Sequence, residues 1–324
     1  MFDHRRLAQL SDMKLFLAVL ALVTAASAQT TVAPRFPDII AGLTANGHFT
    51  VFTDLLTKSG LLPTINATAH FTVFAPTDSA FAKLSPDVFE AIKNDPARLT
   101  DLVKTHLVLT TNYRLHGVQQ DDVLKSANNH QIRINTYPIV HTQTADGVNI
   151  TIKNIPIVHG LAHGLDGVLT PPSFSSIQIS LNRTDFSTFT SLLVSANLLN
   201  FFTADKDVTI FVPNNAAFAK LPTAATAYLN SHHADLADTL KYHVVRAETL
   251  FSIGMQHTQS LNSADSHQDP LMIFQDGAGG LTVNKANIIQ RDIIATDGVI
   301  HVIDGVLIPP RVLTHIADNG IIFG

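Results

Sequence analysis

The chain contains no cysteine and no tryptophan, has only four tyrosines, and is just 15% charged. Without sulfur ligands a disulfide, a thiolate nucleophile, an iron–sulfur cluster and a zinc site built on sulfur are all excluded, so core burial and hydrogen bonding must hold the fold. The scarcity of aromatic rings leaves few flat platforms of the kind that sugar binding favours. A formal net charge of −5 without a block of Lys or Arg offers no footprint for a phosphate backbone, and nucleic acid is excluded as a partner. A long apolar run is also missing. The best candidate, Leu15 to Ala28, is fourteen residues diluted by Thr24 and Ser27, short of the roughly 18 needed to span a bilayer. What is present is a 324-residue chain, 46% hydrophobic, too apolar for disorder and long enough for about two domains.

The N-terminus reads as an address. Arg5, Arg6 and Lys14 precede the apolar run Leu15 to Val23, and the small residues Ala26, Ser27 and Ala28 follow it. This is the pattern of a secretory signal, predicted to occupy residues 1–28 with cleavage after Ala28; Met13 is an alternative start. Only fourteen residues follow Pro310, including Arg311 and Asp318, so neither a membrane span nor a lipid-anchor tail is expected at that end. Export agrees with three Asn-x-Ser/Thr triplets, at Asn66, Asn149 and Asn182, as candidate glycosylation sites. Asn149 falls on the polar side of the alternation Val148, Ile150, Ile152 and is expected to face solvent.

The chain repeats itself. At an offset of 137, residues Phe71 to Leu84 align without a gap on Val208 to Leu221, and Leu99 and His106 match Leu236 and His243. At an offset of 138, Gly160 to Leu169 lies on Gly298 to Leu307, and Pro171-Pro172 on Pro309-Pro310. This predicts two copies of one domain, at 36–172 and 176–312, with a short C-terminal tail at 313–324 and a modestly covered junction. Phe49, Phe52 and Leu56 predict a helix stopped by Gly60, for which Asp185 offers the cap in the second copy. Phe71 to Ala75 is a strand halted by Pro76, after which Thr77 or Asn214 caps a short helix. Ser85-Pro86 and Asp95-Pro96 start two further helices. Strands dominate each second half, and the last is expected to end at the double proline. The fold class is α+β, with helices first and strands afterward.

Three landmarks in each copy carry a family resemblance: Thr72 to Phe81 and Thr209 to Phe218; His106 and Tyr242-His243; and Gly160 to Pro172 and Gly298 to Pro310. In this order they resemble the tandem fasciclin-domain proteins over nearly the whole chain after the signal. The resemblance implies a wedge of β-strands flanked by helices, and a mostly extracellular family of adhesion or matrix proteins. It also makes His106, His163, Asp166, His243, His301 and Asp304 structural motif residues. Just before the last motif some animal members carry an Asp-Ile pair implicated in integrin binding. Here that place holds Asp292-Ile293, the candidate contact, whereas the first copy reads Ile155-Pro156-Ile157.

Sixteen histidines invite a metal or catalytic reading. Two pairs recur between the copies, His106/His243 and His163/His301, and their apolar spacing predicts packed core residues satisfied by backbone. His159 and His163, placed in a strand, stand too far apart to share an ion, and the adjacent His232 and His233 point apart. Asp276 to Gly280 reads as a turn, and no nucleophile elbow, zinc-protease helix or phosphate loop occurs. No cofactor and no metal are expected. The expected function is a secreted, non-catalytic protein binding extracellular matrix, cell wall or a cell-surface ligand. Alternatives are a secreted hydrolase with a histidine in a cleft between the repeats, or a module binding a polysaccharide or small ligand.

Overall fold

The computed structural model describes residues 35–118, 120–203 and 206–322; the predicted signal at 1–28 lies outside them. Each copy forms one seven-stranded sheet. The first contains β1 (Phe71–Pro76), β2 (Leu107–Val108), β3 (Asp122–Lys125), β4 (Gln131–Tyr137), β5 (Thr142–Ala145), β6 (Val148–Ile157) and β7 (Gly160–Leu165), in the order β2-β1-β7-β6-β5-β4-β3. The second contains β8 (Val208–Pro213), β9 (Val244–Val245), β10 (Gln259–Asn262), β11 (Pro270–Gln275), β12 (Leu281–Val283), β13 (Ala286–Ala295) and β14 (Gly298–Ile303), in the equivalent order. The other strand pairs are antiparallel, but β1 runs parallel to β7 and β8 to β14.

Those parallel pairs explain why the two repeated motifs are so apolar. Both faces of β1 are buried: Phe71, Val73 and Ala75 pack toward the helices, and Phe74 toward β3 and β4. In β8, Val208, Ile210 and Val212 face one cluster and Phe211 the other. A strand covered on both sides carries a continuous hydrophobic run. The buried Thr72 and Thr209 are the polar exceptions. Each accepts an N–H from the loop that follows its edge strand, from Tyr113 at 2.7 Å and from Leu250 at 2.8 Å.

Helix starts follow the sequence in part. Thr77 and Asn214 cap as predicted, accepting from the N–H groups of Ala80 and Ala217. Asp95 accepts from Ala97 and Arg98, and Pro86 and Pro96 open their helices. Asp185 does not cap; it is held by Arg183, and the Thr188 N–H is accepted by Asn215 at 3.0 Å. In the first copy Asp78 likewise accepts the Val51 N–H from across the fold. The cap is tertiary, so local spacing missed it.

The last strands stop at Leu165 and Ile303, well before the double prolines. In the second copy Pro310 instead opens the helix Pro310–Asp318, whose Val312 and Ile316 are fully buried in the domain core. Residues 313–318, expected as part of a tail, therefore continue this helix, and Ile316 anchors them in the core. Proline lacks the N–H that a ladder needs, but the same lack is harmless at a helix start. Asp276 to Gly280 is a turn, and His159 lies in the β6–β7 turn rather than in a strand.

Candidate functional site: the cleft between the domains

The repeated histidines are tied to backbone. His106 donates from Nδ1 to the Leu102 carbonyl at 2.9 Å and accepts at Nε2 from the Leu169 N–H at 3.0 Å. His243 repeats this with Thr239 and Leu307. His163 joins the Tyr113 carbonyl to the Asn154 N–H, and His301 joins the Leu250 carbonyl to the Asp292 N–H. All four are fully buried. Burial drives the pKa of His106, His163 and His243 down to about 4 and lowers that of His301, against the opposing pull of the carbonyl bonds. An added proton would also remove the one acceptor nitrogen each ring needs. Asp166 and Asp304 latch the neighbouring strand, accepting the N–H groups of Asn149 and Asn287, while Lys83 and Lys220 bond their carbonyls.

Asp292 is not the exposed, unmatched charge that the sequence suggested. It is half-buried at φ 57° in a bulge of β13, and its carboxylate accepts the N–H and the hydroxyl of Ser252. Its counterpart is Asn154, at φ 56°, which accepts the Leu115 N–H. Aligned through the histidine bonds, Asp292-Ile293 matches Asn154-Ile155, not Ile155-Pro156, so the copies share this feature. Ile293 and Ile155 pack on their domain cores. Among the sequons, Asn66 and Asn182 are exposed, whereas Asn149 is half-buried.

The junction is far more than modestly covered. Tyr137, 5% exposed at the end of β4, inserts into the second domain's core with Phe211, Leu250, Phe251 and Met255. Its hydroxyl accepts the Phe251 N–H at 3.2 Å, and burial raises its pKa. The fully buried Asn135 donates to the Asp121 carboxylate at 2.8 Å and to the Thr249 carbonyl at 3.2 Å. Arg133 is clasped by Asp121 and by Asp207 of the other domain. Two glycines permit the close approach: the Tyr137 ring lies on the backbone of Gly254, and the Phe251 ring on that of Gly147.

Beside this contact the domains enclose a cleft of about 550 Å³. Asn128, His130, Gln131 and Asp146 line it from the first domain, Pro171 and Pro172 from the connection, and Ile294 and Thr296 from the second. His130 Nε2 lies 2.6 Å from Asp146 Oδ2, with both side chains nearly buried. The sequence reading passed over His130. A signal existed: Ser126-Ala-x-x-His-Gln131 recurs at offset 137 as Ser263-Ala-x-x-His-Gln268, a third histidine pair. The second copy then diverges, and His267 is exposed beside Ser266. No group of three or more metal-ligating side chains able to hold an ion exists among the described residues.

A family model described as the Fasciclin domain matches residues 47–171 and 184–309. The chain therefore belongs to the fasciclin-domain family. It is 28% identical over 271 residues to transforming growth factor-beta-induced protein ig-h3 of Sus scrofa, covering 83% of this chain and 37% of that one. It is 24% identical over 314 residues to fasciclin-like arabinogalactan protein elcF of Phaeosphaeria nodorum, covering 93% and 94%. The chain thus spans little more than a third of the pig protein. Among solved structures, a FAS1 domain pair from the insect cell adhesion molecule fasciclin I matches at 16% identity and a TM-score of 0.40, covering 83% of this chain and 99% of that one. No helix among the described residues is long and apolar enough to cross a membrane.

Proposed function

We propose that the protein is an exported, non-catalytic adhesion protein whose two domains act as one body that binds extracellular matrix or cell-wall material. The observation that carries this reading is where the shared chemistry lies. The four histidines common to both motifs, with Asp166 and Asp304, are occupied by backbone and neighbouring strands, which leaves them to hold the fold rather than to turn over a substrate. Membership of a family whose members are mostly extracellular adhesion or matrix proteins supports the same reading. The signal at 1–28 supplies the route out, and Asn66 and Asn182 are the sequons open to glycosylation.

Retention of the intact chain on washed cell-wall and matrix fractions tests this. Saturable retention is the expected result. Recovery of all the protein in the washes, together with turnover of an ester, glycoside or peptide substrate, would move the chain to the enzyme class. N-terminal sequencing of the secreted product should begin after Ala28.

A further inference from the structure

The two copies solve the same structural problem in different ways, and the difference points into the cleft. The hairpin turn before β6 and before β13 holds Asp146 and Asn284, both at positive φ. Each side chain accepts an N–H at 2.8 Å, from Arg133 in β4 and from Met272 in β11. That bond serves the fold in both domains. The second bond differs: Asn284 donates to the Tyr242 hydroxyl, whereas Asp146 takes the Nε2–H of His130. The His130–Asp146 pair is therefore not something the hairpin requires. Asp146 holds Nε2 of the ring, and Nδ1 has no partner among the described residues.

Other cleft groups are open too. The side-chain amides of Asn129 and Gln131 and the Thr296 hydroxyl also have no partner among the described residues, and all three residues are exposed. Two of the charged groups are already matched, Arg133 by two carboxylates and Asp146 by His130 and a backbone N–H, and the exposed Asp101 takes a hydrogen bond from the Asn128 amide. An anion would find no open guanidinium there, and a cation no open carboxylate pair. Pro171, Pro172 and Ile294 add a C–H surface to the same lining. With no tryptophan in the chain, such a surface takes the place of an aromatic platform.

We propose that this cleft binds a short neutral stretch of a polysaccharide, its hydroxyls meeting Nδ1 of His130 and the side chains of Asn129, Gln131 and Thr296, its C–H face on the prolines. Hydroxyls both donate and accept, which suits a lining of amides, an imidazole nitrogen and a hydroxyl. The cleft volume falls in the small-ligand range. This deepens the adhesion reading and rests on it.

Isothermal titration of the intact chain with tetrasaccharides of β-1,3-glucan, β-1,4-glucan and chitin tests the proposal, with a sulfated heparin tetrasaccharide and a neutral decapeptide as controls. Saturable binding of at least one neutral sugar is expected. Gln131→Ala should weaken it by about fivefold to tenfold, the effect of one lost hydrogen bond. His130→Phe should abolish it, and Gln131→Ala, at an exposed position, keeps the test valid if His130→Phe misfolds. Binding of none of the neutral sugars, binding of the peptide or heparin alone, or sugar binding unchanged by Gln131→Ala overturns the proposal. Retention on matrix that these sugars do not compete away would sink the cleft assignment while leaving the adhesion reading intact.

Discussion

The outward faces of β4 and β11 occupy the same place in the two domains, yet their burial is inverted. In β4 the outward residues Arg133, Asn135 and Tyr137 are mostly polar, and Asn135 and Tyr137 are buried under the second domain. In β11 the counterparts of Arg133 and Asn135 are the apolar Met272 and Phe274, Met272 half-buried and Phe274 39% exposed. The inward residues, Ile132 and Ile134 against Leu271 and Ile273, are equally buried. Alternation thus specifies which residues face a domain's own core, but what covers the other face depends on the neighbouring domain. The buried face is polar because it must satisfy Asp121, Asp207 and the Thr249 carbonyl.

Acidification should produce the largest effect and strike both domains alike, since each holds two buried neutral histidines. His106, His163 and His243 titrate near 4 when folded and near 6.5 when unfolded, so between those values the unfolded chain binds more protons. Stability present above pH 6.5 is therefore lost as pH falls toward 4, on the order of 2 to 3 kcal/mol per histidine. Denaturant midpoints at neutral and acid pH measure it. A flat profile would contradict burial of the rings, and loss confined to one domain would break their equivalence.

Tyr137→Ala comes next, because it removes a ring of the first domain from the core of the second. A cost of about 3 to 5 kcal/mol is expected, falling mainly on the second domain's unfolding transition. Hydrogen exchange resolves the two domains; protection unchanged in Phe251 and Leu250 would show that the junction does not couple them.

Asp292→Ala should cost about 1 to 2 kcal/mol by leaving the Ser252 N–H and hydroxyl without their acceptor, with matrix retention unaltered. Asp292→Asn, the residue its counterpart Asn154 carries, should be milder. Lost retention with unchanged melting would restore Asp292 as a contact. The smallest effect belongs to Phe274→Asn, which gives β11 the residue of β4 and should move stability by no more than about 0.5 kcal/mol. The reverse exchange, Asn135→Phe, should destabilise strongly, as it leaves the Thr249 carbonyl without its donor and overfills the junction. Equal effects of the two exchanges would erase the contrast between the faces.

Much of the fold was legible because the chain states it twice. The apolar runs at Phe71 and Val208, the caps at Thr77 and Asn214, and the recurrence of His106 and His163 all arise from short-range patterns that duplication makes visible. The candidate site was less so. His130 recurs as His267, but the copies diverge after it, and only the fold brings Asp146 to its ring. The cover over Asp292 is not legible locally because its partner Ser252 is forty residues away. The helix caps at Asp78 and Asn215 escaped for the same reason.

The sequence by itself determined the duplication, the α+β class, the central strands and the buried histidines, because each depends on residue type at fixed local spacing. Tertiary structure alone decided how the domains join. Tyr137 reads as an ordinary strand residue until the second domain closes over it, and the cleft exists only where two surfaces distant in sequence meet. Local spacing encodes the direction of a side chain, but the surroundings that bury, pair or expose it are assembled from remote segments.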